Sequence, residues 1–370
     1  MYIETRHVED TVHEKANSGA YEWWYFDALD ENAAYGLVVI FYEGNPFSPR
    51  YNRQWQEGKN VAASAYPAVS ISIYYYGKPV YYSFTEYDPG DSYFSASPFE
   101  IKIGDHRLVK VVEGNQLRYE LQLSEYLPSG DALTAALTYV SALPDERLGR
   151  QMNMDQEGSG AAGQQSHSWL LMQPAARVSG SLTLYQNNTQ TGIDFKGEGY
   201  HDHNIGYEPM HKEFDHWYWG RLHTADHTLI YYVMDKGDDL DSRAWLINKD
   251  SSPAKRVELA ESVSLEDFQW SLFGLKSARR VKLDFRDVSA TLRLHTLVDN
   301  GPFYQRFISE GVIHSDNNQK IERRAGMGEY IEPARIQWRL FWPLIRMRLR
   351  YGRLASHPVQ KSPRLYRWTW

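Results

Sequence analysis

The sequence predicts an all-β protein built as two tandem antiparallel barrels or sandwiches. Three observations carry that prediction. Short runs of β-branched and aromatic residues recur along the chain, separated by turns bearing Gly, Asn and Asp. Helical periodicity is scarce before residue 335. The aromatic opening of the chain is echoed 194 residues later, from Trp23 to Trp217. A length of 370 residues suits two domains. The 27 Tyr and 12 Trp suit strands and the lining of an apolar cavity.

Residues 1–20 are polar and read as a loose lead-in to the first barrel, which is expected over 21–210. Glu22 to Asp27, a turn at Asp30 to Asn32, and Tyr35 to Tyr42 make a hairpin. Gly44 to Gly58 reads as a loop. Ala68 to Tyr76, Val80 to Tyr87, Phe99 to Ile103, Leu108 to Glu113, Gln116 to Leu123 and Leu133 to Val140 read as strands between Gly- and Asp-bearing turns. Ser141 to Gln165 is glycine-rich and poor in large apolar residues, so a mobile loop is expected there. Strands resume at His167 to Leu171 and Ala176 to Tyr185, and lead into Phe195 to Gly206.

A second barrel is expected over 211–335. Trp217 to Leu222, a turn at Ala225 to His227 and Leu229 to Met234 repeat the opening hairpin. Gly326 to Tyr330 weakly echoes Gly197 to Tyr200. An internal duplication accounts for both, against a chance likeness of aromatic strands. Arg243 to Asn248, Phe268 to Ser271, Arg280 to Phe285, Thr291 to Val298 and Tyr304 to Ile313 supply the remaining strands.

The formal charge of −7 is unevenly spread, because residues 333–370 carry nine Lys and Arg and no acid. The balance as a whole does not mark a nucleic-acid binder. The basic extension, residues 336–370, has two readings. Residues 336–353 interleave arginines with large apolar side chains, as a peripheral membrane contact would. Alternatively they form a strand and helix packed on the second barrel and broken at Pro343. The chain has no cysteine, which excludes disulfides and thiolate chemistry. Residues 1–21 show no apolar signal region, and no run approaches a membrane-spanning length. A cytoplasmic location is expected, with the membrane surface as an added contact.

The densest chemistry lies in FKGEGYHDHNIG, residues 195–206. Strand alternation turns Tyr200, Asp202 and Asn204 to one side and His201 and His203 to the other. If the first side meets an apolar cavity, Asp202 is a carboxylic acid able to protonate a poor base such as an alkene. Glycines 197, 199 and 206 allow sharp turns and close backbone approach. A polar hairpin tip is the plainer reading. His201-x-His203 also has the spacing of a metal pair, but no third ligand is evident, and no metal is expected. There is no G-x-S-x-G elbow and no phosphate-binding glycine loop.

EWWYFD at 22–27, HSW at 167–169 with Pro174 to Gly180, GYHDHNIG at 199–206 and WYWGRLH at 217–223 together resemble the carotenoid 1,2-hydratase (hydroxyneurosporene synthase)/AttH-like, or CrtC, family. The resemblance spans roughly residues 20–335. It implies tandem lipocalin-like barrels and water addition to an isoprenoid double bond without a cofactor. It also implies His167 and Trp169, with Tyr200 and Asp202, as the catalytic pairs. On that reading Trp23, Trp24, Tyr25, His201, His203, Asn204, Trp217 and Trp219 line the substrate site, and the partner is an apolar isoprenoid or polyene. Two rivals stand beside hydration: a cofactor-free pericyclase that folds a polyene, and a carrier of an apolar ligand.

Overall fold

The computed structural model describes residues 2–153, 167–237, 239–249, 257–315 and 320–370. The all-β class holds. The described chain divides into two units, one of residues 2–144, 167–209 and 339–370, the other of residues 145–153 and 210–338.

The first unit contains β1 (Tyr2–Glu4), β2 (Tyr21–Asp30), β3 (Tyr35–Glu43), β4 (Ala68–Tyr75), β5 (Lys78–Glu86), β6 (Ser92–Ala96), β7 (Phe99–Ile103), β8 (His106–Glu113), β9 (Gln116–Tyr126), β10 (Ala132–Ala142), β11 (His167–Gln186) and β12 (Thr189–Gly206). These form one antiparallel sheet in the order β5-β4-β3-β2-β12-β11-β10-β9-β8-β7-β6, with β1 added parallel to β11. The sheet curls on itself. Phe26 of β2 meets Tyr119 of β9 at 5.5 Å, and Trp24 of β2 meets Phe99 of β7 at 6.0 Å. Strands so far apart in the sheet touch only across its concave side, which is therefore filled with rings. The two ends of the path do not pair with each other among the described residues.

The hairpin of β11 and β12 dominates this unit. Its two-residue turn, Asn187 and Asn188, has φ of 49° and 61°. That left-handed pair matches the twist of the flanking strands, and Asn tolerates it. The sequence divides β11 at Pro174, which cannot donate to the ladder. The strand instead continues through two register shifts, between Leu171 and Gln173 and between Gln173 and Ala176.

The second unit contains β13 (His216–His223), β14 (His227–Lys236), β15 (Asp239–Asn248), β16 (Val257–Leu259), β17 (Ser262–Glu266), β18 (Gln269–Trp270), β19 (Lys276–Ser277), β20 (Arg280–Asp284), β21 (Val288–Asn300), β22 (Tyr304–Ser315) and β23 (Lys320–Ile331). Its main sheet runs β16-β15-β14-β13-β23-β22-β21-β20-β17. That order matches β5-β4-β3-β2-β12-β11-β10-β9-β8 position for position, so the echo between Trp23 and Trp217 has a topological counterpart. Tyr218, Leu222, Tyr231, Leu246, Val281, Leu292 and Phe307 share its core.

Three local expectations change. The 44–58 loop contains helix α1 (Pro49–Gln56), where the Ser48 hydroxyl accepts the Tyr51 N–H and proline occupies the first turn. The 141–165 loop begins with the end of β10 and helix α2 (Glu146–Met152); the rest of that expectation, from 154 onward, lies outside the described residues. The lead-in is tied down, with Ile3, Thr5 and Asp10 buried.

The extension also docks on the first unit rather than the second. It comprises α3 (Trp342–Arg348), β24 (Arg350–Tyr351) and α4 (Pro363–Trp368), and β24 pairs parallel with β5. Arg350 reaches buried Glu125 at 2.6 Å, and Arg367 reaches buried Asp131 at 2.7 Å. Pro343 sits in the first turn of α3, where its missing N–H costs nothing, so it opens a helix rather than breaking one.

Glycines 197, 199 and 206 all lie inside β12 and make no turn. A Cβ at Gly197 would be driven into the Leu29 carbonyl oxygen, a backbone atom that cannot swing away. Gly197→Ala should therefore cost about 1–3 kcal/mol. The check is a urea titration beside Gly192→Ala, whose Cβ would meet nothing within 4 Å. Equal midpoints for the two variants would show that close approach is not what residue 197 supplies.

Candidate active site

β12 lies between β2 and β11, and its alternation sorts the motif onto two faces. On one face Asp202 is 4 % exposed and accepts three hydrogen bonds. Its Oδ2 receives Trp169 Nε1–H at 2.7 Å and the Tyr200 hydroxyl at 2.7 Å. Its Oδ1 receives Asn204 Nδ2–H at 2.9 Å. Asn204 Oδ1 lies 3.2 Å from His167 Nε2, and His167 Nδ1 lies 3.0 Å from the Tyr21 hydroxyl. With Asn204 donating to Asp202, its oxygen faces the imidazole, so His167 donates from Nε2 and accepts at Nδ1. The chain Tyr21–His167–Asn204–Asp202 is thus ordered in one direction.

Register explains the assembly. Asp202 faces Leu171 on β11 and Tyr25 on β2, and Asn204 faces Trp169 and Trp23. His167 and Tyr21 flank Gly206 on either side. All four catalytic residues expected from the sequence are brought together, and Asn204 joins them as the link. Burial holds His167 neutral, its pKa pushed down to about 3. Burial, then the neighbouring carboxyl of Asp202, pushes the Tyr200 phenol well above its ordinary value, so Tyr200 keeps its proton.

Trp23 and Tyr25 share this face. Trp23 stacks on Tyr21 at 5.1 Å, and Tyr25 meets Tyr200 edge-on at 6.2 Å. Trp24, His201 and His203 do not share it. They point to the concave side, because neighbours on one strand face opposite ways. His201 lies flat on Phe26 at 3.9 Å, gives Nδ1–H to the Tyr25 carbonyl, and is pushed down to about 4 by burial. The expectation that these three line the same site as Asp202 is corrected. Trp217 and Trp219 belong to β13 of the second unit, on the face opposite its core residue Tyr218.

The concave side holds what sequence reasoning missed. His203 Nδ1 lies 2.9 Å from Asp10 and Nε2 lies 2.8 Å from Glu22, with all three side chains fully buried. Two carboxylates take both ring nitrogens, so both must carry protons and His203 is an imidazolium. Burial opposes its charge, and the bonds to Asp10 and Glu22 prevail, raising its pKa. Burial likewise opposes Asp10 and Glu22. Lys110 and His203 hold Asp10 far below the usual carboxylate range, and His13, His203 and Lys15 bring Glu22 to about 2. Lys15 also bridges Glu43 at 2.7 Å. Asp10, His13 and Lys15 lie in the stretch that reads as a loose lead-in. Composition in 1–20 does not signal burial: Asp10 meets His203 across 193 residues of chain, and His13 and Lys15 meet a Glu22 that reads as part of the aromatic strand.

His13, Glu22 and His203 offer atoms within 4.8 Å of one another, a spacing that would suit a metal ion. Lys15 already sits on Glu22, and each nitrogen of His203 already faces a carboxylate. The cluster's need for positive charge is met by side chains. Among the described residues His201 does not join this group.

The family model described as carotenoid hydratase CrtC matches residues 39–356 of this chain. A protein of Chlorobaculum tepidum named hydroxyneurosporene dehydrogenase is 29 % identical, over 92 % of this chain and 90 % of its own. An acyclic carotenoid 1,2-hydratase of Thiocapsa roseopersicina is 26 % identical, over 58 % of this chain and 47 % of its own. Another of that name, from Cereibacter sphaeroides, is 21 % identical, over 84 % and 97 %. Two solved structures share the fold at TM-scores of 0.56 and 14 % identity. One is CghA with Sch210972, covering 87 % of this chain and 94 % of its own. The other is described as an AttH from Nitrosomonas europaea, covering 88 % and 95 %.

The buried imidazolium sets a pH signature. The depressed carboxylates contribute stability above their unfolded values near pH 4, lost as pH falls through the folded ones. The raised His203 contributes below about pH 6.5, lost as pH rises through its folded value. Asp10→Asn should cost about 3–5 kcal/mol at pH 6, as removal of one partner from a buried pair does, and less at pH 9. Urea titrations at both pH values check this. A cost that does not change with pH would mean that His203 is not the charged partner.

Proposed function

The chain belongs to the carotenoid hydratase CrtC family, and on that premise we propose that it adds water across a carbon–carbon double bond of an acyclic carotenoid or a shorter isoprenoid. The single observation that carries the reading is the buried Asp202 carboxyl, with donors on both oxygens and one of those donors a phenol. Trp169 Nε1 and Asn204 Nδ2 are fixed donors, whereas a phenol both donates and accepts. Tyr200 is therefore the partner that turns round when Asp202 carries a proton, accepting from the acid at Oδ2. That proton passes to the alkene carbon that leaves the more substituted cation. Water then adds to the cation, and the proton it loses restores the acid. Atoms and charge balance with water alone, so the reaction as proposed calls for no cofactor.

The remaining residues take supporting roles. The faces of Tyr25 and Trp23, on the same side of the sheet, are suited to holding a carbocation. His167 orients the amide of Asn204, which aims Asp202. Because both its ring nitrogens are engaged, His167 is a positioning residue rather than the base that receives water's proton. A substrate of this class partitions into lipid, and the basic, leucine-bearing extension is the part of the chain with the character to meet it there.

The test is incubation with an acyclic carotenoid and isoprenoid panel in heavy-oxygen water, read by mass spectrometry. The expected product carries one added heavy water. Asp202→Asn should lower turnover about 10²–10⁴-fold, as loss of a positioned acid does, and also cost stability, because the new amide must turn its NH2 onto the Trp169 or the Asn204 donor. Tyr200→Phe should lower turnover with little change in KM. A product of unchanged mass would point to cyclisation instead, and substrate returned intact to carriage.

A further inference from the structure

Five arginines of the extension fall into two sets. Arg350, Arg353 and Arg367 pair with carboxylates of the first unit, at 2.6–2.7 Å from Glu125, Asp91 and Asp131. Arg339 and Arg346, with Arg53 from α1, have no carboxylate within 4 Å among the described residues. These three converge with His357, Trp342 and Pro343 on one surface pocket of about 400 Å³. Trp342 is buried as the floor, with the Arg53 guanidinium 5.3 Å and the Arg339 guanidinium 5.5 Å from its ring. Arg339 also reaches the Gln56 side chain at 3.3 Å. The acid whose charge is felt there, Glu57, is engaged by Lys59 at 2.8 Å. Among the described residues no acid lines the pocket, and three guanidiniums do.

The rim is apolar. Leu340 is 79 % exposed and Leu344 is 36 % exposed, flanking Arg339, Pro343 and Arg346 along the chain. A free anion would use the arginines and gain nothing from the leucines. A phosphate carrying acyl chains would use both. Guanidiniums fork onto phosphate oxygens, and leucines at headgroup depth bury apolar surface. We propose that this pocket binds the phosphate headgroup of an anionic phospholipid and docks the first unit on a membrane surface. Charge separation along the chain supports the orientation: residues 333–370 carry nine basic side chains and no acid, while the chain as a whole is net negative. The pocket stands on this chemistry whatever reaction the first unit performs.

The experiment is co-sedimentation of the full chain with vesicles of phosphatidylcholine, with and without phosphatidylglycerol. The protein should pellet with the anionic vesicles and stay in solution with the neutral ones. Replacing Arg53, Arg339 and Arg346 together by Gln should lower the bound fraction about tenfold or more, given the cost of losing three charges near an anionic surface. Because Arg53 and Arg339 flank Trp342, a second variant guards against misfolding: Leu340→Ser with Leu344→Ser, both outward-facing, should also weaken binding. Equal pelleting of wild type and both variants would overturn the proposal. So would leucine substitutions without effect together with full release by inorganic phosphate, which would make the pocket a site for a free anion.

Discussion

Everything in the first unit depends on the two-residue period of β12. Adjacent side chains on a strand leave by opposite faces, so Tyr200, Asp202 and Asn204 cannot share surroundings with His201 and His203. The chain uses the two faces for two purposes. One carries a directed hydrogen-bond array ending in a carboxyl. The other carries a buried cation between two anions, stacked on the ring of Trp24 at 4.5 Å. A slip of one residue in the pairing with β2 or β11 would exchange the faces and destroy both. The long register of β12 with each neighbour, and the glycines that let the backbones approach, hold that slip off.

Much of this was legible in the sequence. The all-β class, the repeat from Trp23 to Trp217 and the sorting of Tyr200, Asp202 and Asn204 from the two histidines follow from local periodicity, which the strand enforces directly. The union of His167 and Trp169 with Tyr200 and Asp202 came from a resemblance, since spacing alone does not pair β11 with β12. Asp10, His13 and Lys15 were not legible. A polar lead-in and a polar segment threaded into a charge network have the same composition, and only the folded positions of their partners distinguish them. Tyr21, at the head of the hydrogen-bond chain, likewise carries no signal beyond standing beside the aromatic motif. Trp24 was placed on the Asp202 side because the motif EWWYFD reads as one cluster, whereas a strand divides it.

The two ionic systems differ in kind. Around His203, three carboxylates, two lysines and an imidazolium are removed from water together, so no member is replaceable alone without leaving a charge stranded. Trp169, Tyr200 and Asn204, which donate to Asp202, are neutral groups. The two arrangements are separated by the thickness of one strand.

The docking of β24 on β5 bears on how the chain is made. Residues of the second unit, 210–338, have all been synthesised before residue 350 leaves the ribosome, yet the first unit awaits β24 to cover its edge at β5. The first half of the chain therefore waits with an unpaired strand edge while the second half is produced, a window in which edge-to-edge association competes with folding. Lys78, exposed at the start of β5, is suited to keeping that edge soluble until β24 arrives.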